Sequence, residues 1–376
     1  MMRTLSLIAL LLIAVGPLAA EDWPSFRHDA ARTGVSADAW APHDLQVVWT
    51  TTVDDESVDA SPAVVGGRVY VGTALGAVVC LNAADGAIVW RAQTGGAVLS
   101  SPAVAGNRLF VGSADRCLYA FSLADGKQLW RVRTRGAVVA SPLVMGERVF
   151  CGSMDGTFRC LSAADGRELW RTREQGPVSA AAAGASDVVF LGDEAGGLAA
   201  RAAQDGKALW STRVPGGVVA APCVSGDRVI VPVMSPTALS PPEIRCLLVL
   251  DRQTGQEVWS LKKASSVLHT PVTDGTNVYF ATVSGYLSET ELLAFALADG
   301  TPGWKRKLGG VADSSPALAG GAILFGNHDG NFYQVNASTG EVAQALALEA
   351  KMFSSPALAE GAVYIGLQGG NVVCLK

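Results

Sequence analysis

Three ionisable side chains stand just ahead of the repeated Ser-Pro pairs of this sequence, and these are the first residues to consider for chemistry. Asp59, His269 and Asp313 occupy places where the other copies mostly hold small or apolar residues. A histidine with two carboxylates is suited to metal binding or to acid–base catalysis. The three residues belong to different copies and follow no spacing code, so the alternative that they only hydrate a surface stays open.

A second polar run, residues 327–331 (NHDGN), has the composition of a cation-binding loop. It lies in register with residues 153–156 and 113–115 of earlier copies, which favours a turn whose Asp and Asn side chains bond its own backbone. The sequence contains no HExxH, no GxSxG elbow, no phosphate-binding glycine loop and no CxxCH haem site. We therefore predict no catalytic residue and no metal centre.

A sequence repeat predicts the strands that position these side chains. Eight positions mark the same place in successive copies of the repeat, and seven of them hold tryptophan. The positions are Trp49, Trp90, Trp130, Trp170, Trp210, Trp259, Trp304 and Gln344. Their spacing is 40 or 41 residues, except for two steps of 49 and 45. A period of this length with one aromatic residue per repeat is typical of a β-propeller.

Each repeat predicts four short strands. In residues 61–90 the strands are SPAV, RVYVGT, AVVCLN and AIVW, and Asp85-Gly86 between the last two is a strong hairpin signal. The last copy ends at Lys376 after its third strand, and residues 45–50 supply the missing fourth strand. The prediction is an all-β, eight-bladed β-propeller with four-stranded antiparallel blades, in which the N-terminal strand closes the ring. Closure removes two unpaired sheet edges.

The N-terminal residues indicate export. Residues 1–20 combine Arg3, an eleven-residue apolar run and small residues at the end, which predicts a secretory signal cleaved near Ala20. We expect a lead-in segment at 21–44 and a single propeller at 45–376, soluble in the periplasm or outside the cell. Loss of Arg3 takes the formal net charge from −5 to −6, which argues against a nucleic-acid partner. We expect a monomer that is at most peripheral to a membrane.

The seven cysteines are odd in number and form no CxxC pair. Cys80, Cys160 and Cys374 share one repeat position inside strand-like runs, so we interpret them as small core residues. One or two disulfides remain possible in an oxidising compartment, but the spacing does not identify them.

The repeat resembles the family of propellers that bind pyrroloquinoline quinone (PQQ) or descend from such binders. The resemblance rests on the pattern AxDGxxxW, seen at Ala83–Trp90 and Ala163–Trp170 and, with a displaced alanine, at Ala298–Trp304. Residues 22–34 look like the lead-in of secreted PQQ-like repeat proteins, so the resemblance covers about 22–376. It implies that the seven tryptophans dock each blade on the next. On that basis Gln344 marks a looser junction, and Gln344→Trp is expected to raise stability modestly.

The resemblance includes two branches. PQQ-dependent alcohol dehydrogenases are longer and carry adjacent cysteines over the quinone with calcium-binding groups, and this chain has no Cys-Cys pair. BamB-like outer-membrane assembly propellers match in length and blade number, but this chain lacks their lipid-attachment cysteine. The resemblance therefore implies no cofactor, with PQQ or calcium as the alternative.

Two neighbouring blades have longer loops between their second and third strands. Blade five adds residues 234–242, including Leu239 and Pro241, and blade six adds a segment with Tyr286 and Glu289. These loops lie on the same predicted face as the residues ahead of the Ser-Pro pairs. They favour a raised rim for a partner, although a tolerated surface insertion would give the same pattern.

The leading hypothesis is a non-enzymatic exported scaffold that binds a protein or an extracellular polymer through the blade five–six face, possibly in envelope assembly. The first alternative is a PQQ- or metal-dependent oxidoreductase at the channel mouth near His269. The second alternative is a sensor propeller for a small ligand, which depends on whether the central channel is open or plugged.

Overall fold

The alternating apolar runs and Asp-Gly turns of the sequence form strands throughout the part of the chain that can be described. The structure is a computed structural model and describes residues 21–37, 40, 44–234, 245–262, 265–284 and 289–376. Over these residues there is no helix, and the strands form eight separate sheets. Each sheet is one blade, so the predicted fold class is confirmed.

In seven blades the four strands pair antiparallel in chain order from the channel outwards, and in the closing blade an N-terminal strand takes the outermost place. The first strands are Ala63–Val65, Ala103–Ala105, Leu143–Met145, Ala183–Ala185, Cys223–Ser225, Val272–Thr273, Ala317–Ala319 and Ala357–Ala359. The second strands are Arg68–Gly72, Arg108–Ser113, Arg148–Gly152, Val188–Gly192, Arg228–Pro232, Asn277–Ser284, Ala322–Gly326 and Ala362–Gly366. The Ser-Pro pairs lie just ahead of the first strands rather than inside them.

The outer half of each blade completes the ring. The third strands are Ala77–Asn82, Cys117–Ser122, Thr157–Ser162, Gly197–Ala202, Arg245–Asp251, Glu289–Ala296, Asn331–Asn336 and Asn371–Leu375. The fourth strands are Ile88–Gln93, Gln128–Arg133, Glu168–Arg173, Ala208–Arg213, Glu257–Lys262, Pro302–Gly309, Val342–Ala347 and Val47–Thr52. Two short extra strands are Val35–Ser36, beside blade seven, and Ser265–Ser266, on blade six.

The N-terminal strand closes the ring as the sequence predicts. Val47–Thr52 pairs antiparallel with Asn371–Leu375, and Trp49 lies opposite Cys374. This strand begins and ends two residues later than the predicted range of 45–50. The two chain segments also exchange backbone hydrogen bonds of 3.0 and 2.9 Å between Gln46 and Lys376.

Seven blade junctions share one contact, made by the repeated tryptophan. Each indole Nε1 donates to a backbone carbonyl of the next blade at 2.8 to 3.2 Å. The ring also covers the turn glycine of that blade. A Cβ placed on Gly126 would lie 2.5 Å from the Trp90 ring, so no larger residue fits under the indole. These contacts support the docking role that the resemblance implies.

The expectation of a loose junction at Gln344 is wrong. The Gln344 side-chain amide donates to the Leu45 carbonyl at 2.9 Å and accepts the Leu45 amide N–H at 2.8 Å. The closing blade has no third-to-fourth-strand turn, because the chain ends lie there, and so it has no glycine for an indole to cover. Glutamine replaces the indole N–H donor, adds an acceptor, and fixes the start of the closing strand.

The core consists of apolar layers between adjacent blades, and the cysteines belong to these layers. All seven are buried and free of disulfides in the structure, which agrees with their interpretation as core residues. Burial raises the pKa of the Cys151 and Cys223 thiols to about 12, so both stay protonated. Among the described residues, none forms a helix long and apolar enough to cross a bilayer.

Candidate functional site

The central channel has two different ends, and the loops decide which end is which. The segments that lead into the first strands lie beside the loops between the second and third strands, as shown by the bonds from Ala74 N–H to Ser57 O and from Val98 N–H to Thr73 O. We call this side the open face. The opposite side carries the turns between first and second strands and between third and fourth strands, and we call it the closed face.

The lead-in segment, residues 21–37, crosses the ring at the closed face. Its backbone bonds the innermost strands of five blades at 2.7 to 2.9 Å. The pairs are Trp23 with Val64, Pro24 with Val104, Ala30 with Gly184, Ala31 with Val224 and Gly34 with Leu318. Because these strands surround the channel, the segment stops the channel at this end.

We call residues 21–37, which close the channel at this end, the stopper. Two buried arginines anchor the stopper to the blades. The Arg32 guanidinium donates to the carbonyls of Ala182 and Pro142, both at 2.9 Å, and to the Phe26 carbonyl at 2.6 Å. The Arg27 guanidinium donates to the carbonyls of Pro271, at 3.1 Å, and Pro316. Together with the backbone bonds, these contacts link the lead-in segment to blades one to seven.

Burial lowers the pKa of both guanidinium groups to about 10, and the Asp29 carboxylate opposes the shift in each case. Both arginines therefore remain charged at neutral pH. The carbonyl oxygens take the place of the water that these cations lose, which is the condition for burying a charge. The Asp29 carboxylate is itself held by the amide and hydroxyl of Thr33, at 2.9 and 2.6 Å.

A partial belt of hydroxyl groups lines five of the eight blade junctions around the channel, next to the stopper. The amide N–H ahead of one first strand donates to the serine Oγ of the next blade. The pairs are Ser61 to Ser101, Ser101 to Ser141, Thr270 to Ser315, Ser315 to Ser355 and Ser355 to Ser61, at 2.9 to 3.1 Å. Ala181 and Ala221 occupy the same position in blades four and five, where no hydroxyl is available.

The open face has a mouth formed by one residue from each blade, two places ahead of the belt. The ring consists of Asp59, Leu99, Val139, Ser179, Val219, Leu268, Asp313 and Phe353. It surrounds a cavity of about 190 Å³, which Phe26 of the lead-in segment also lines. Leu99 and Phe353 are 42% and 36% exposed. Five of the eight mouth residues are therefore apolar, and two of these are clearly exposed.

Asp313 has a partner that the sequence did not reveal. Its carboxylate lies 2.8 Å from Nε2 of His328, and the His328 ring centroid lies 4.5 Å from that of Phe353. The run at 327–331 is a turn, as predicted, because Asn327 Oδ1 accepts the amide N–H groups of Asp329 and Asn331 at 3.1 and 2.9 Å. The turn brings His328 to the mouth.

His269 and the two aspartates all line the cavity, but they lie at different depths. Asp59 and Asp313 are two residues ahead of the belt and partly exposed, and burial raises the pKa of Asp59. His269 is one residue closer to the belt and only 2% exposed, and neither ring nitrogen makes a hydrogen bond of ordinary geometry. Burial, aided by the Arg27 charge, lowers the pKa of His269 to about 4, so the imidazole is neutral.

The described part of this channel fits neither a metal nor an anionic quinone. No group of three or more His, Cys, Asp or Glu residues within the described ranges is arranged to hold a metal ion. The cavity lining presents two carboxylates and a neutral imidazole, with no lysine or arginine. A multiply anionic cofactor such as PQQ would meet like charges there instead of counter-charges.

Blade six extends further towards the open face than the described strands of the other blades. Its second and third strands, Asn277–Ser284 and Glu289–Ala296, are eight residues long and stay paired to their ends, Ser284 opposite Glu289. The backbone of Glu289 therefore lies at the raised tip. Leu239, Pro241 and Tyr286 lie outside the described residues, so their contribution to a rim stays a prediction.

Sequence reasoning missed the stopper and found only part of the mouth. No repeat pattern covers residues 21–37, so nothing in the sequence placed Arg27 and Arg32 in the channel. The apolar mouth residues were open to prediction, because Leu99 and Phe353 hold the same register as Asp59 and Asp313. The sequence-based prediction of the mouth named only its ionisable residues and so did not include these two.

Fold and site together define the class: a propeller built from AxDGxxxW repeats, with a channel closed at one end and open at the other. A family model described as outer membrane protein assembly factor BamB matches residues 36–135, 103–183, 155–234 and 231–376. The chain belongs to this family, which confirms the PQQ-like repeat resemblance. No protein of curated function matches the sequence.

Solved structures share the fold at low identity. BamB from Moraxella catarrhalis is 18% identical with a TM-score of 0.76, over 89% of this chain and 100% of that one. A quinohemoprotein alcohol dehydrogenase from Comamonas testosteroni is 14% identical with a TM-score of 0.79, over 94% and 80%. A europium-containing methanol dehydrogenase is 16% identical with a TM-score of 0.76, over 92% and 90%. At these identities the similarity describes the fold and not the activity.

Proposed function

We propose that this protein is an exported, non-enzymatic scaffold of the cell envelope that binds a protein partner or an envelope polymer at its open face. The observation that carries this proposal is the partial exposure of the apolar residues Leu99 and Phe353 at the mouth of the channel. Apolar residues exposed together on a rigid scaffold are typical of a binding surface. The opposite end of the channel is occupied by the chain itself.

The family description supports an envelope role, and the predicted signal at 1–20 supports export. The negative formal charge of −5 supports a partner other than nucleic acid. The sequence predicts longer loops in blades five and six, with residues 234–242 in blade five and Tyr286 and Glu289 in blade six, and we propose that they form a rim on the same face as the mouth. We propose a monomeric protein whose partner contacts both the rim and the mouth.

A pull-down from the cell envelope tests this proposal. The mature protein, a Leu99→Ser/Phe353→Ser double variant and a variant lacking residues 234–242 are compared with Leu129→Ser. Leu129 is 46% exposed on a fourth strand at the outer wall, so its variant is a matched control. We expect one partner to be recovered by the mature protein and the control but not by the two open-face variants. Equal recovery by all four proteins would refute binding at the open face.

The alternative of a quinone- or metal-dependent oxidoreductase draws support only from the fold shared with the dehydrogenases. It predicts dye reduction after reconstitution of the mature protein with PQQ and calcium, and a quinone absorption band that depends on calcium. Such activity, if abolished by His269→Ser, would replace the scaffold proposal.

A further inference from the structure

A basic groove lies on the outer wall between blades two and three, away from the channel. Four arginines and two threonines line a cavity of about 320 Å³: Arg135, Thr157, Arg159, Arg171, Thr172 and Arg173. The formal charge of the whole chain is −5, so this concentration of guanidinium groups runs against the charge balance of the protein.

Arg159 is the unusual member of this groove. It lies in the middle of a third strand, opposite Arg171, and is only 7% exposed. The corresponding position in each of the other seven blades holds a neutral residue, for example Tyr119 in blade two and Leu248 in blade five. A buried arginine at a place that the fold fills with neutral side chains is not required for blade packing.

The carboxylates near Arg159 do not satisfy all of its donors. Its Nη2 lies 3.3 Å from Asp155, and its Nε lies 3.6 Å from Glu168, which also contacts Arg171 at 3.5 Å. The remaining Nη1 is buried without a hydrogen-bond partner. An unsatisfied buried donor on a charged group costs free energy unless a ligand or water meets it.

Asp155 is already occupied by other donors. Its carboxylate accepts the amide N–H groups of Arg135 and Thr157 at 2.9 and 2.8 Å. Burial opposes ionisation, but these bonds outweigh it and lower the pKa of Asp155 to about 2. Two carboxylates therefore face four guanidinium groups in this groove, which leaves positive charge for a ligand to neutralise.

We propose that this groove binds a tetrahedral oxyanion, the phosphate group of a soluble phosphate or of a lipid headgroup, with Arg159 as its buried anchor. Arginine presents planar paired donors that match phosphate oxygens, and desolvation strengthens the contact. The groove lies three blades from the raised hairpin of blade six, so this proposal is independent of partner binding at the open face.

Calorimetric titration of the mature protein with inorganic phosphate in low-salt buffer tests the proposal. The test variant is Arg159→Tyr, because Tyr119 at the equivalent position in blade two donates to Asp115 at 2.5 Å and so shows that this residue fits the fold. The control is Arg133→Gln, which removes one arginine from the equivalent position to Arg173 on blade two, outside the groove. We expect Arg159→Tyr to weaken phosphate binding at least tenfold and Arg133→Gln to change it less than twofold.

Two further arms distinguish the source of the phosphate group. Co-sedimentation with phosphatidylglycerol vesicles, compared with phosphatidylcholine vesicles, reports headgroup binding, and phosphate competition reports a shared site. Sensitivity of vesicle binding to Arg159→Tyr assigns the lipid, while phosphate binding without vesicle binding assigns a soluble ligand. Absence of phosphate binding by the mature protein, or equal binding by Arg159→Tyr and Arg133→Gln, would overturn the proposal.

Discussion

The two ends of the channel use the same eight first strands for different purposes. At the closed face, the lead-in segment supplies the backbone and guanidinium groups that satisfy the inner strands, and Arg27 and Arg32 are fully buried. At the open face, the mouth residues stay partly exposed, and within the described ranges no other chain segment covers them. In the described part of the chain, the lead-in segment therefore stabilises the ring at the closed face and leaves the mouth residues of the open face accessible.

The substitution Arg32→Met tests the role of the closed face and is expected to have the largest effect on the free energy of unfolding. Three carbonyl groups lose their donor, at about 1–3 kcal/mol each, so we expect a loss of roughly 4 kcal/mol in unfolding free energy. Urea unfolding measures the loss, and limited proteolysis of residues 21–37 reports release of the segment. Arg131→Met, on an exposed fourth strand, is the control. If Arg32→Met unfolds like the parent protein, the stopper does not stabilise the ring.

Acidification tests the deepest residue of the open cavity. The pKa of His269 is about 4 in the folded protein, below its ordinary value of 6.5, so between these pH values the unfolded chain takes up a proton that the folded chain does not. Stability therefore falls as pH drops from 6.5 to 4, by about 3 kcal/mol from this residue. In His269→Ser this contribution disappears, and serine stands at the same place in blade two as Ser100. Parallel pH profiles for both proteins would contradict the buried neutral imidazole.

Exchanging the two kinds of junction at the closed face is expected to lower stability in both directions. Gln344→Trp removes two hydrogen bonds to Leu45 and places an indole where no turn glycine lies, at a cost of about 1–2 kcal/mol. Trp304→Gln uncovers Gly340 and also destabilises. Thermal unfolding measures both variants. A gain in stability for Gln344→Trp would restore the idea of a loose junction there.

The hydroxyl belt between the two ends gives a smaller effect. Ser101→Ala leaves the Ser61 amide without its acceptor and is expected to cost about 1 kcal/mol. Ala181→Ser offers the missing acceptor to Ser141 and is expected to stabilise by up to the same amount. Denaturant midpoints for the two variants should therefore move in opposite directions; movement in the same direction would show that the belt is incidental.

The smallest effect on folding is expected at the mouth. Phe353→Ser changes a side chain that is 36% exposed, so its effect on unfolding free energy should stay within about 0.5 kcal/mol. The same variant should lose partner binding if the open face is the binding surface. A large loss of stability, measured by urea unfolding, would instead make Phe353 a structural residue like those of the closed face.

Much of the site is predictable from the alignment of the repeats, because equivalent positions in different blades lie at equivalent places in the ring. The mouth ring follows from Asp59 by repeat arithmetic, and Arg159 departs from the neutral residue found at its position in every other blade. The stopper could not be read in this way. Residues 21–37 have no repeat, and their bonds reach strands as far away in the chain as Leu318.

The number of blades, the four-strand unit and the closure by an N-terminal strand were predictable from the residues alone, because period and turn chemistry are local. The roles of the residues that depart from the repeat depend on contacts that form in the folded ring. Gln344 looked like a missing tryptophan until Leu45, 299 residues away, was placed against its amide. Arg27 and Arg32 belong to no repeat, and the folded ring surrounds them with carbonyl oxygens. Local pattern predicts what repeats, while contacts between distant segments decide the role of residues that do not.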